Sequence, residues 1–145
     1  MGFIKKSIEN VVLATNLELE VIDTEKAASI REIIENTFSN KKSRTPLWER
    51  LVEHASKYDP DGWKALGTYI GFEKATLFFD LLDEPAMYII KNGKEFVKLL
   101  SECPGFVFYV TGADSFDYLV CHNDHDYLIG AGKAENWLQN LESGR

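Results

Sequence analysis

The sequence predicts an α+β fold, with N-terminal helices followed by an antiparallel or mixed sheet in the order β-β-α-β-β-β and then a C-terminal helix. Three observations carry this. Up to residue 71, apolar side chains recur mostly at spacings of three and four, the stripe of amphipathic helices. After residue 75 the apolar runs are short, rich in aromatic and β-branched residues, and bounded by Gly, Pro, Asn and Asp. The last three runs, at 106–111, 118–123 and 127–131, are joined by turns too short for a crossover, so they form an antiparallel meander.

Taken in order, Phe3, Ile4, Ile8, Val11, Val12 and Thr15 mark the stripe of a first helix. Residues 17–22 read LELEVI, an alternation that suits a short edge strand or a linker. Thr24 offers an N-cap with Glu25 in the first turn, and Ala27, Ile30, Ile34 and Phe38 form the stripe of a second helix that ends at Ser39-Asn40. Lys41, Lys42, Ser43 and Arg44 are the one basic cluster, read as a solvated loop. Thr45 as N-cap with Pro46 at the first helical position predicts a third helix that packs Leu47, Trp48, Leu51, Val52 and Ala55 and carries His54 at the surface. Asp59-Pro60-Asp61 opens a fourth helical segment with Trp63, Leu66 and Ile70, stopped by Gly71. Four short helices thus precede the sheet, and helices are expected to cover mainly one of its faces.

The first sheet strands are expected at 75–82, broken by Pro85, and at 87–91, ended by Asn92-Gly93. Asn92 caps a helix over 93–102 that buries Phe96, Leu99 and Leu100 and stops at Pro104-Gly105. After the meander, a helix over 133–141 packs Trp137, Leu138 and Leu141 back on the sheet. No internal repeat or linker marks a second domain, so residues 1–145 are read as one, long enough to bury a core without staples.

A chain with 45% hydrophobic and 27% charged residues has the composition of a globular protein. No apolar segment approaches a membrane span, Lys5, Lys6 and Glu9 interrupt any signal-peptide core, and Lys6 stands where a myristoylation signal needs Ser or Thr. A cytoplasmic location is expected, and Cys103 and Cys121 as free thiols suit it. Residues 1–45 balance seven basic against seven acidic side chains, so the net charge of −7 comes from 46–145, with nine against sixteen. The acids gather at turns: Asp59 and Asp61, Asp83 and Glu84, Asp114 and Asp117, Asp124 and Asp126. That argues against nucleic acid and favours a basic protein partner, although acidic turns also serve simply as loop caps and solubilisers.

The chemistry rests on Cys121, His122, Asn123, Asp124, His125 and Asp126. Neighbours on a strand point to opposite faces, so Cys121 and His122 cannot form a thiolate-imidazole pair. With the hairpin tip at 124–126, Tyr118, Val120, His122, Leu128, Gly130 and Gly132 share one face. Leu119, Cys121, Asn123, Tyr127, Ile129 and Ala131 share the other, which is the more uniformly apolar and is assigned to the helix-covered core. Tyr118, His122, Asp124, His125, Asp126, Gly130 and Gly132 are therefore the candidate binding residues, the glycines because they allow close approach by a ligand or another backbone, or admit a large side chain. His122 and His125 with Asp124 or Asp126 suggest a metal-assisted hydrolase as the alternative. A transition-metal site wants a further ligand, and Asp114 and Asp117 lie at the other end of a strand roughly 20 Å long. No metal or other cofactor is assigned. The same Asn-Asp-His-Asp run is also good turn chemistry, with side chains bonding their own backbone.

The strand, the hairpin from Cys121 to Tyr127, the Gly130-x-Gly132 pair and the Trp137-Leu138 helix together resemble small acidic bacterial proteins of uncharacterised role, including the immunity proteins that neutralise toxins. That resemblance implies a non-enzymatic protein-binding module whose acidic surface covers a basic toxin active site.

Overall fold

The computed structural model describes residues 3–40, 45–103 and 105–141. The expected basic loop at 41–44, the helix stop at Pro104 and the Met1-Gly2 terminus lie outside them. The α+β class holds: five helices and seven strands occur among the described residues. They run α1 (Phe3–Thr15), β1 (Leu19–Ile22), α2 (Thr24–Phe38), β2 (Ala55–Tyr58), α3 (Leu66–Ile70), β3 (Ala75–Phe78), β4 (Met87–Ile90), α4 (Gly93–Glu102), β5 (Phe108–Gly112), β6 (Tyr118–His122), β7 (Tyr127–Gly132) and α5 (Lys133–Gln139). The strands form one sheet in the order β1-β4-β3-β5-β6-β7-β2, with every pairing antiparallel.

Both edge strands come from the N-terminal half. The LELEVI alternation resolves as the edge strand β1, paired with β4. The predicted third helix does not form. The chain leaves helical pairing after Arg50, because Val52 N–H donates to the Phe38 carbonyl at 3.0 Å instead of one turn back. Leu47 N–H donates to Asp80 Oδ1 at 2.8 Å and Trp48 N–H to the Tyr109 hydroxyl at 3.0 Å. What remains is one 3₁₀ turn, Leu47–Glu49, followed by a bridge between Ser39 and Leu51. Ala55, expected on that helix, instead starts β2, which pairs with β7. Val52 is exposed, and His54 is exposed ahead of β2 rather than on a helix.

The other helices follow their stripes. Asp23, rather than Thr24, caps α2, its carboxylate accepting from Lys26 N–H at 2.9 Å. Asn92 caps α4 as expected, accepting from Glu95 N–H at 2.9 Å.

Helices cover both faces, contrary to the one-sided expectation. On one face, α1, α3, α4 and α5 pack over Leu77, Tyr88, Val110, Val120 and Leu128. On the other, α2 and the 47–51 segment pack over Phe78, Met87, Tyr109, Cys121 and Ile129. Side chains alternate between the two cores along every central strand, which is why β3, β5, β6 and β7 read as nearly unbroken apolar runs.

Candidate functional site

The β6–β7 register pairs Tyr118 with Gly132, Val120 with Gly130 and His122 with Leu128, as the alternation predicts. The face holding these residues is not the open one. It lies under α3, α4 and α5, because Gly130 lets α5 come down onto the sheet: a Cβ added there would stand 2.9 Å from the Ala134 carbonyl oxygen. Gly132 has φ +63° and would place a Cβ 2.5 Å from the Asp117 carbonyl oxygen. The close approach that both glycines permit is by the chain's own backbone.

The remaining candidates divide between the two ends of β6. At one end Tyr118 stands edge-on to Tyr69, with ring centroids 5.1 Å apart, and beside Asp117, whose carboxylate binds Lys133 at 2.8 Å. At the other end are His122, Asp124, His125 and Asp126. The seven residues therefore do not make one surface, and the hairpin tip is the part that remains.

Asn123 organises the tip. Its side-chain oxygen accepts from His125 N–H and Tyr127 N–H, both at 3.0 Å, and its side chain is buried. Asp126 takes the left-handed conformation at φ +65°, which a short polar residue tolerates. The run is thus turn chemistry in its local bonding.

The tip also docks onto the turn after β2. Asp59 N–H donates to the Asp126 carbonyl at 2.8 Å, and His122 Nε2 donates to the Asp59 carbonyl at 3.0 Å. Two acidic turns far apart in sequence are thereby joined at one end of the sheet, bringing together Asp59, Asp61, Asp124 and Asp126. The Asp61 and Asp124 side chains are 74% and 65% exposed, with Lys64 at 3.6 Å from the first and His125 at 3.7 Å from the second. Between the turns and the end of α4 lies a cleft of about 520 Å³, walled by Trp63, Phe106, Phe108 and His122 and rimmed by Asp124 and Asp126. Lys64 is the one Lys or Arg among its described lining residues.

The two histidines part company here. The His122 ring stacks on Phe108, from the core under α4, while His125 meets Trp48 edge-on, from the core under α2. They address opposite sides of the sheet rather than one coordination site. Among the described residues, no group of three His, Cys, Asp or Glu side chains is placed to hold a metal ion. Cys121 is fully enclosed, with its thiol pKa pushed up by burial, and acts as a small core side chain.

Trp63, Phe106 and the Asp59 turn were absent from the sequence-derived site. The signal that would have found them is the alternation of Ala55-Ser-Lys-Tyr58 running into Asp-Pro-Asp, which marks a strand and turn able to pair beside 127–130.

No protein-family model, curated protein or solved structure matches this chain. Among the described residues no helix is long and apolar enough to cross a membrane.

Proposed function

We propose that this chain is a non-enzymatic protein-binding module, of the kind represented by bacterial immunity proteins, that covers a basic surface of a toxin with its acidic end. The observation that carries the reading is the hydrogen bond from Asp59 to Asp126, which joins the turn bearing Asp59 and Asp61 to the turn bearing Asp124 and Asp126, the latter two at the rim of the cleft. An acidic patch steers a basic partner and rejects other acidic surfaces, and a preorganised patch loses less freedom on binding. The net charge of −7 adds a long-range attraction of the same sign. The chain works in the bacterial cytoplasm, where Cys103 and Cys121 stay as the free thiols seen here.

The test is native mass spectrometry of the protein captured gently from its own host's lysate. The expected species is a stoichiometric complex with a second chain of basic composition that dissociates as salt is raised. A chain that emerges only as a monomer or homodimer overturns the reading.

A further inference from the structure

We infer that the cleft beneath the hairpin tip receives an arginine side chain of that basic partner, its guanidinium lying against the aromatic wall of Trp63 and Phe106 and donating to His122, Asp124 and Asp126. This deepens the proposed function and rests on it.

The walls have the right chemistry for a cation. Aromatic faces attract positive charge, and carboxylates at the rim neutralise it. The chain's own Lys64 shows the pattern at the cleft mouth. Its ammonium lies 5.6 Å from the Trp63 ring centroid and 3.6 Å from Asp61.

His122 supplies a second and independent pointer. Its side chain lines the cleft and is only 7% exposed. A carbonyl oxygen can only accept, so the contact with Asp59 fixes the proton on Nε2 and leaves Nδ1 of the neutral ring as an acceptor. No described residue donates to Nδ1. Nδ1 is thus open to a donor that enters from the cleft.

The three acceptors sit close in sequence on the β6–β7 hairpin, His122 at the end of β6 and Asp124 and Asp126 in the turn, and a fork of donors that can meet more than one of them favours arginine over lysine. A guanidinium carries five donors in one plane, stacks flat on aromatic rings and is weakly hydrated, whereas an ammonium is a compact, strongly hydrated point charge. A volume of about 520 Å³ leaves room for the main chain that flanks the side chain.

The test is an NMR titration of the full chain with N-acetyl-L-arginine methylamide, alongside the citrulline and lysine counterparts. The arginine probe is expected to shift the Trp63 indole N–H and the His122 Nδ1 resonance, and to bind at least about threefold more tightly than neutral citrulline, the scale of one exposed charge pair. Asp124→Asn should weaken it by a similar factor, and Lys64→Met should strengthen it by removing a like charge. Equal binding of citrulline or lysine overturns the inference, and so do shifts that leave Trp63 and His122 unmoved. If the probe misses the cleft while Asp61→Lys with Asp124→Lys still releases the basic partner, the arginine site fails and the acidic-end reading stands. If the probe binds as expected and the double variant keeps its partner, the acidic-end reading fails instead.

Discussion

The backbone N–H of Asp59 donates to the carbonyl of Asp126 at 2.8 Å, while the carbonyl of the same Asp59 accepts from His122 Nε2 at 3.0 Å. This one residue is gripped from both sides by the β6–β7 hairpin. The grip turns two separate acidic turns into a single acidic end and closes one side of the cleft that His122 lines.

The hairpin tip depends on Asn123. Asn123→Ala removes the acceptor for two backbone N–H groups beneath a nearly enclosed side chain, and should cost about 1–3 kcal/mol of stability in urea unfolding. Asn123→Asp keeps the acceptor and should cost less. Equal losses in the two variants would show that the side-chain oxygen is not what holds the tip.

The glycines of β7 support packing rather than ligand binding. Gly130→Ala drives a methyl toward the Ala134 carbonyl, and Gly132→Ala does so toward Asp117 and Phe38 from a positive φ. Each should lower stability by about 1–3 kcal/mol, Gly132→Ala more, in thermal unfolding. Variants as stable as the parent would return both positions to the candidate surface.

Much of this was legible in the sequence. The α1, α2 and α4 stripes, the Asn92 cap and the hairpin register follow from apolar periodicity and turn residues, which are local signals. The 45–58 stretch was misread because Val52 pairs with Phe38 and Ala55–Tyr58 pair with β7, partners that local pattern cannot place nearby. The face assignment failed for a related reason. Both faces of β6 and β7 are apolar enough to be covered, and only the approach of α5 onto Gly130 shows that the Tyr118 and His122 side is buried too. Within the candidate site, the acids of the tip were visible, whereas their union with Asp59 and Asp61 is a tertiary fact.

Asp80 should make stability depend on pH. Burial raises its carboxyl pKa above the ordinary range, against the lowering effect of hydrogen bonds from Leu47 N–H and the Tyr109 hydroxyl. A folded-state pKa raised in this way contributes stability that is present below the ordinary carboxylate range and lost as pH climbs through the raised value. Asp80→Asn keeps an acceptor for Leu47 and cannot titrate. The parent's stability relative to this variant should therefore fall as pH rises across that window, measured by unfolding midpoints. A relative stability that rises with pH would contradict the burial effect.

The two thiols should differ in access. Cys103 lines the cleft and Cys121 sits enclosed between the sheet and α2, with burial raising both thiol pKa values. Maleimide labelling followed by mass spectrometry should modify Cys103 first and Cys121 only on global unfolding. Labelling of Cys121 ahead of Cys103 would contradict this arrangement.

The most direct test of the acidic end compares two double charge reversals during capture of partners from the host lysate. Asp61→Lys with Asp124→Lys alters the joined turns, whereas Glu73→Lys with Asp114→Lys makes the same charge change around the hollow at the opposite end of β6. The expected result is that the first variant loses a basic partner that the parent and the second variant retain, with the parent's complex weakening as salt rises. Equal loss from both variants would reduce the effect to net charge, and retention by both would show that the Asp59–Asp126 end is not the binding surface.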